Sequence, residues 1–287
     1  MILDSTSARI HWELVARWPT SVPGAAAAPD PTRDFLGIAG GFTRQLRTVF
    51  APPPEPPPPP DRLLRVLVVA DPAEDAHLPG AEEEGVEIAN LFERLNKPGS
   101  EPRVEVVRLL GPRRATRTEV MRHLILRRFH VLHFAGHCTY DKADPSASGW
   151  IFTGGARLTA AELRRIDRVP EFIFSNACES GITPDRAGNR SAELAPSFAE
   201  AFFERGVGNF VCTAWPVNDS AARTFAATLY GALLGLDQDD GAQPMYRAMC
   251  RARGMVLDRA DGARTWGAYQ HYGDPLYRLV AQQAKPA

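Results

Sequence analysis

Several features that would assign a chain to a specialised class are scarce in this sequence. Only four of its 287 residues are cysteines, at positions 138, 178, 212 and 250, and no two have CxxC spacing. That number is too small for a disulfide framework, so we expect free thiols. No apolar run approaches the roughly 18 residues that cross a bilayer, and no charged leader precedes an apolar region. We therefore expect a cytoplasmic protein without a membrane partner.

An excess of charge of either sign is also lacking. The chain has 33 Lys and Arg against 34 Asp and Glu, for a net charge of −1. Such a balance provides no long-range attraction to nucleic acid or anionic lipid. The short basic stretches 111–117 and 246–254 are predicted helix faces, which we interpret as solvated. We expect no nucleic-acid partner.

Proline is concentrated in one low-complexity stretch, PPPEPPPPP at 52–60. We interpret 52–61 as a stiff polyproline II linker, with a ligand for an SH3-like partner as the alternative. The preceding residues, 1–51, contain a strand-like piece at 8–15 and a predicted helix at 40–50. They are too few to fold alone, so we expect them to pack on the core formed by 62–287.

Beyond the linker, short β-branched runs alternate with segments of helical periodicity. This alternation predicts an α/β fold with a doubly wound, mostly parallel sheet flanked by helices, an α/β/α sandwich. The predicted strands are 63–71, 103–110, 129–135, 171–176 and 207–213. The predicted helices are 80–96, 116–127, 159–166, 191–205 and 219–235.

Chemically active residues follow three of the predicted strands. His137 comes after 129–135, Cys178 after 171–176, and Asp219 after 207–213. Because ligands of open parallel sheets bind beyond the carboxyl ends of the strands, we expect these residues at one edge.

A cysteine at this edge is a candidate nucleophile. A thiol of ordinary pKa is little ionised at neutral pH and needs a base, which His137 can supply to Cys178. The same imidazole can protonate a leaving amine. Backbone N–H groups of Cys138 and Cys178 are the candidate donors to an oxyanion.

Other interpretations of these residues stay open. Cys138 could compete as nucleophile, and His133, His137 and Cys178 could together bind a metal. We expect neither a metal nor a cofactor, since no further ligand recurs at suitable spacing. His133 is predicted to be a packed histidine bonded to backbone, and Cys212 and Cys250 are predicted core residues.

The residues also resemble a known family. HFAGHC at 133–138 and NACESG at 176–181 are similar to the His and Cys signatures of the caspase-like CHAT proteases, relatives of caspases and separase. The segments ARIHWELV (8–15), AWPVND (214–219) and WGAYQHYGDP (266–275) resemble further elements of these domains. Cys138 stands where the family usually has Gly, and His11 where it has Pro.

The resemblance implies a caspase-type sheet, cysteine endopeptidase activity on a protein substrate, and His137 and Cys178 as the dyad. It also implies a role in regulated bacterial proteolysis such as anti-phage defence, often with a fused or associated sensor or repeat module. No such module is evident, so we expect a domain excised from a longer protein. The alternative is a latent or inactive caspase-like interaction module that awaits a partner.

Acidic residues at the same edge predict the specificity. Asp219, Asp141 and Asp71 could pair with a basic side chain preceding the cleaved bond, so we expect cleavage after Arg or Lys. Asp219 is the selector by resemblance to separase-like turns, with Trp215 of the same turn also assigned to substrate binding. Arg186 and Arg190 lie in the Gly- and Pro-containing loop 181–191, which we interpret as a site of self-processing or as an ordinary surface loop.

Overall fold

The computed structural model describes residues 2–3, 10–16, 34–46, 58–59, 61–139, 147–163, 165–166, 169–177, 207–236 and 241–281. Its strands are β1 (Ile2–Leu3), β2 (Gln45–Leu46), β3 (Leu64–Ala70), β4 (Val104–Leu110), β5 (Val131–Ala135), β6 (Cys138–Thr139), β7 (Gly149–Ile151), β8 (Arg157–Thr159), β9 (Phe172–Asn176), β10 (Asn209–Thr213) and β11 (Tyr269–Gly273). Its α-helices are α1 (Leu36–Ala39), α2 (Pro79–Glu93), α3 (Arg117–Leu126), α4 (Ala160–Leu163), α5 (Asp219–Leu234) and α6 (Met245–Leu257).

Some predicted features lie outside the described residues. They are Cys178, Asp141, Arg186, Arg190, the helix predicted at 191–205 and most of the proline-rich segment 52–61.

Six strands form the central sheet, in the order β11-β10-β9-β5-β3-β4. The pairs from β10 to β4 are parallel, and β11 is antiparallel to β10. In β3, every side chain except that of Arg65 is buried, which explains its nearly continuous apolar run. The predicted mostly parallel, helix-flanked sheet is confirmed.

Two hydrophobic layers cover the sheet. On one face, α2, α5 and α6 pack against Val66, Val68 and Phe174. On the other face lie α3, α4 and a small antiparallel sheet in the order β6-β7-β8. There Trp150 stacks on Phe134 with ring centroids 4.4 Å apart. This is the three-layer arrangement in which each sheet face is buried by its own set of elements.

Helix α2 approaches the sheet closely because of a glycine. A Cβ added at Gly85 would stand 2.5 Å from the Cβ of Ala70, at the carboxyl end of β3. Residue 85 therefore has to be small for the helix to lie at this distance. The neighbouring residue, Glu84, consequently lies against the sheet and is 2% exposed.

The described residues of the N-terminal segment contact the core, but two of the elements predicted there are wrong. Within 8–15, the described part forms a 3-10 turn, Trp12–Leu14, instead of a strand. Within 40–50, the described part contains the short strand β2 instead of a helix. The N–H of Arg44 donates to the carbonyl of His271 at 2.8 Å, so contacts with β11 override local helix propensity here.

Two further elements were not predicted. Strand β11 includes the buried polar residues Gln270 and His271. Because polar residues do not fit the apolar pattern of a buried strand, the sequence alone did not indicate this element. The sheet β6-β7-β8 has strands of only two or three residues, too short to show periodicity. In the described part of the chain, no helix is long and apolar enough to cross a membrane.

Candidate active site

The candidate site lies where β5 and β9 end side by side. The register pairs Ala135 of β5 with Asn176 of β9. Just beyond, the N–H of Gly136 donates to the carbonyl of Asn176 at 3.1 Å. Gly136 directly precedes His137, and Ala177 is the last described residue before Cys178. The structure thus brings His137 and the residue preceding Cys178 to one edge of the sheet.

The ring of His137 is held by the loop that follows β3. Its Nε2 lies 2.8 Å from the carbonyl oxygen of Ala76, and the residue is 8% exposed. Because a carbonyl oxygen only accepts, Nε2 carries the hydrogen in this contact. In the neutral ring Nδ1 is then the basic nitrogen.

Cys138 connects the two strand ends. Its Sγ donates to the carbonyl oxygen of Ala177 at 3.1 Å, and the side chain is buried. The carbonyl of His137 accepts from the N–H of Ile151 at 2.9 Å. By the alternation of an antiparallel ladder, the N–H of Cys138 is directed away from β7.

His133 is buried, as predicted, but side chains rather than backbone surround its ring. Its Nε2 lies 3.2 Å from Oε1 of Glu84, and its Nδ1 lies 3.4 Å from the hydroxyl of Tyr230. The ring stacks on Phe174 with centroids 5.1 Å apart. The prediction of a backbone partner for His133 is therefore wrong, because a carboxylate from α2 reaches the ring first.

Asp71 has a structural role within its own loop. It is buried, with a φ of 49°, the left-handed region that Asp tolerates. One carboxylate oxygen contacts Nδ1 of His77, and the other accepts from the N–H of Leu78 at 2.8 Å. Both oxygens are thus engaged in shaping the loop that carries Ala76.

Asp219 has an open environment. It is the first residue of α5, after the cap Asn218, whose side chain accepts from the N–H of Ala221. The carboxylate is exposed and lies against the start of α2, where a Cβ added at Gly80 would stand 2.7 Å from its Oδ2. Of the two described acids predicted for specificity, Asp219 is the one accessible to a ligand.

Trp215 is anchored by its indole. Its Nε1 donates to the carbonyl of Arg264 at 2.7 Å, and the ring meets His11 edge-on at a centroid distance of 4.9 Å. The side chain is half-buried, so its remaining surface can contact a substrate. This contact also ties the N-terminal segment to the turn before α5.

The remaining described thiols are poor nucleophiles. Burial raises the pKa of Cys212 far above its usual value. Burial also raises the pKa of Cys250, which is half-buried in α6. The core prediction is confirmed for Cys212 and only in part for Cys250.

Within the described residues, no group of three His, Cys, Asp or Glu side chains could hold a metal ion. The metal alternative included Cys178, which lies outside those residues, so it stays a prediction. Its two histidines have other neighbours, Glu84 for His133 and the Ala76 carbonyl for His137.

Sequence reasoning missed Glu84. It lies in a segment of five consecutive polar or small residues, AEEEG at 81–85, in which Glu83 is exposed and Glu82 is half-buried. A glycine directly after it, at 85, is the signal that could have identified the face of close packing.

Comparisons with known proteins concern the family and the fold. The sequence model of the CHAT domain matches residues 21–274. A search of curated proteins gives no significant match.

Among solved structures, the Arg specific cysteine proteinase gingipain R aligns with a TM-score of 0.53 and 14% identity, over 75% of this chain and 48% of that chain. The Porphyromonas gingivalis RgpB complex of pro- and mature domains aligns with a TM-score of 0.53 and 14% identity, over 77% and 50%. The Saccharomyces cerevisiae separase–securin complex gives 0.53 and 12%, over 94% and 15%.

The chain thus spans about half the length of the gingipain chains and a small part of separase. At these identities the structural likeness shows the fold, which is that of the caspase-like cysteine proteases. The family match covers most of the sequence and confirms the resemblance drawn from its motifs. The chain belongs to the CHAT domain family.

Proposed function

We propose that the chain is a cysteine endopeptidase in which His137 and Cys178 form the catalytic dyad. The observation that carries this proposal is the joining of two strand ends. Gly136, next to His137, bonds to Asn176 at 3.1 Å, and the Cys138 thiol bonds to the carbonyl of Ala177, next to Cys178, at 3.1 Å. These two bonds support a dyad whose residues enter from neighbouring strands at one edge of the sheet.

The tautomer of His137 defines its role in the reaction. Since Nε2 donates to the Ala76 carbonyl, Nδ1 is the nitrogen that takes the proton of the Cys178 thiol. The thiolate attacks the substrate carbonyl, and the imidazolium returns the proton to the leaving amine. His137 then activates the water that hydrolyses the thioester. The Ala76 carbonyl stabilises the imidazolium and fixes the ring plane.

The developing oxyanion needs donors fixed in advance. We assign the N–H groups of Cys138 and Cys178 to this task. The direction of the Cys138 N–H away from β7 supports the first assignment. The β6–β7 pairing fixes the backbone at Cys138 and so restricts the conformational freedom that a glycine would have at this position.

For specificity, we propose cleavage after Arg or Lys, with Asp219 as selector and Trp215 and Asp141 as further contacts. The exposed carboxylate of Asp219 supports this choice over Asp71, whose oxygens are both engaged. Gingipain R, one of the similar structures, is described as Arg specific. A guanidinium can pair with a carboxylate through two parallel hydrogen bonds, which favours Arg over Lys.

We also propose that Arg186 and Arg190 are sites of self-processing. Their support is the match between their chemistry and the specificity proposed above. Intact mass after prolonged incubation tests this: wild type should lose the uncut mass, whereas Cys178→Ala should keep it. Equal masses in the two proteins would exclude self-processing.

The setting we propose is regulated proteolysis of a protein substrate in a bacterial cytoplasm, anti-phage defence included, with a fused or associated sensor or repeat module as the regulator. The competing candidate is a latent interaction module. One of the similar structures is a protease with its bound partner, separase–securin, which makes partner control a relevant alternative.

The deciding experiment is a fluorogenic peptide panel ending in each of the twenty residues. Wild type should cleave the Arg and Lys reporters, and Cys178→Ala and His137→Ala should each lower kcat by at least about a thousandfold. Cys250→Ala is the matched control, since it removes a half-buried thiol outside the site.

A neutral alkylating probe separates the enzyme from the latent module. Selective labelling of Cys178 at pH 7, lost in His137→Ala, supports an assembled dyad. Labelling that is slow, and equal in the two proteins, supports the latent module instead.

A further inference from the structure

A buried polar network runs beneath the two strand ends of the candidate site. We call it the Asn176 network, defined as Asn176, Glu84, Tyr269, His133 and Tyr230. Its central side chain is that of Asn176, the last residue of β9. Nδ2 of Asn176 donates to Oε2 of Glu84 at 2.6 Å. The hydroxyl of Tyr269 donates to its Oδ1 at 3.1 Å.

These bonds determine the orientation of the Asn176 amide completely. A carboxylate can only accept and the phenol here donates, so the amide nitrogen has to face Glu84. The main-chain carbonyl of Asn176 is also engaged, by the N–H of Gly136. Asn176 is thereby tied to α2, to β11 and to the end of β5 at once.

Glu84 is an expensive residue to bury. It is 2% exposed, and a buried carboxylate persists only where hydrogen bonds or a charge partner compensate it. Its Oε1 lies 3.2 Å from Nε2 of His133, which is fully buried, and neither atom has a well-aligned hydrogen bond to any described residue. Burial raises the pKa of Tyr230, which keeps a neutral hydroxyl beside the other nitrogen of this ring.

Packing alone does not require this arrangement. The core around this network is formed mainly by apolar side chains, and an apolar side chain at 84 would fill the space without burying charge. The carboxylate instead provides a specific hydrogen bond. It accepts from the amide of Asn176, which lies two residues before the proposed nucleophile.

We propose that Asn176 and Glu84 are positioning residues for the dyad, which hold the end of β9 at a fixed place against the end of β5. The proposal rests on the proposed function, in which Cys178 follows Asn176 by two residues and His137 follows Gly136 directly. Displacement of the strand end moves the sulfur relative to His137, and a shift of about 1 Å can cost a hundredfold in rate.

A charge-exchange pair of substitutions tests this. Asn176→Asp keeps the shape but places a second carboxylate against Glu84. At pH 7.5 we expect kcat lowered about tenfold or more, KM changed less than about threefold, and slower alkylation of Cys178 by iodoacetamide. The loss should diminish toward pH 5.5, where one proton between the carboxyls restores a hydrogen bond. The groups that face this position are Glu84, His133, Tyr230 and Tyr269.

The double variant, Asn176→Asp with Glu84→Gln, restores one amide and one carboxylate in exchanged places. It should return kcat and the alkylation rate to within about threefold of wild type and flatten the added pH dependence. Asn209→Asp is the matched control, because it makes the same change at a buried asparagine near the amino end of β10. It should leave Cys178 alkylation within about twofold of wild type.

The outcomes separate cleanly. Unchanged kcat and alkylation in Asn176→Asp, or no recovery in the double variant, would overturn the positioning role. A fall in melting temperature with unchanged kcat would also overturn it, by showing a structural role only. If wild type cleaves no reporter, the endopeptidase proposal fails by itself, while the alkylation rates of the three variants still decide this one.

Discussion

His137 contacts the carbonyl oxygen of Ala76 across 61 positions of chain, at 2.8 Å from Nε2. The contact makes the loop after β3 part of the candidate site, although no residue of that loop has a catalytic side chain. The loop is in turn held by Thr153, whose Oγ1 donates to the carbonyl of Pro72 and accepts from the N–H of Glu74, each at 3.1 Å.

This relationship predicts an effect of a residue with no direct part in the chemistry. Thr153→Val keeps the branched shape and removes both side-chain hydrogen bonds. We expect kcat to fall about three- to tenfold with little change in KM, because the carbonyl that orients His137 is less firmly placed. Steady-state kinetics on an Arg reporter measure it, with Thr139→Val as a control on β6. Equal kinetics for the two variants would contradict the expectation.

Cys138 should support the site without acting as nucleophile. Cys138→Ser keeps a donor for the Ala177 carbonyl and should retain activity within about threefold, whereas Cys138→Val removes the donor and should cost about tenfold. Peptide mapping after brief alkylation should find the label on Cys178 and not on buried Cys138. Label on Cys138 with full loss of activity would reverse the assignment.

The two described acids should separate in a specificity assay. Asp219→Asn should lower kcat/KM for an Arg reporter about 30-fold or more, since a paired charge in a binding site is worth about 2 kcal/mol or more. Asp71→Asn should instead lower the melting temperature and kcat for all reporters alike, because it loosens the bonds to His77 and Leu78. The ratio of rates on Arg and Ala reporters is the measurement. An unchanged ratio in Asp219→Asn would remove it as selector.

The N-terminal segment should be held together mainly by one buried ion pair, between Glu13 and Arg44. Oε1 of Glu13 accepts from Nε of Arg44 at 2.9 Å, and both side chains are fully buried. Burial, the largest single influence, favours a lower pKa for Arg44, but the hydrogen bond with Glu13 and the charges around the guanidinium together outweigh it, so the pKa is raised. Removal of one partner leaves a buried charge, so Glu13→Gln should lower the free energy of unfolding by about 3–5 kcal/mol.

Urea denaturation measures this loss. The matched control is Glu93→Gln, which breaks the exposed pair of Glu93 with Arg108 and should cost less than about 1 kcal/mol. Similar losses in the two variants would show that burial of the Glu13 pair adds nothing.

Stability should fall in acid through His271. Burial, with a smaller contribution from Arg253, lowers the pKa of His271 to about 3, and its Nε2 contacts Oδ1 of Asn209 at 3.0 Å. Between the unfolded pKa of about 6.5 and this value, the unfolded state binds more protons, so stability decreases as the pH falls through that window. The slope from this group approaches about 1.4 kcal/mol per pH unit.

His271→Gln keeps a donor near the position of Nε2 and does not titrate. Its free energy of unfolding at pH 7 should be lower than that of wild type. From pH 6.5 to 4.5, however, this free energy should decline less steeply, by the slope that corresponds to about one proton. Parallel declines in the two proteins would show that His271 does not contribute to the acid sensitivity.

Much of this architecture follows from local sequence. The run LRVLVVA forms β3 because a strand buried on both faces needs apolar side chains at nearly every position, and Arg65 is the one exception within it. Thr116 caps α3 and Asn218 caps α5, each accepting a backbone N–H of the first turn. The order of strands and helices along the chain then places His137 and Ala177, the residue before Cys178, at the same edge.

Other elements depend on partners that are distant in the chain. Residues 8–15 resemble a strand, yet the described part turns as a 3-10 helix because Glu13 pairs with Arg44. The buried role of Glu84 depends on the close approach of α2 at Gly85 and on the positions of His133 and Asn176.

Chain order and periodicity were therefore sufficient to predict the class of fold and to place His137 and the residue before Cys178 at one edge of the sheet. Burial of polar groups was not predictable in this way, because its cost is compensated only by atoms from other segments. The partners of His137 and Glu84 come from such contacts, and they exist only once the sheet and its helices have assembled.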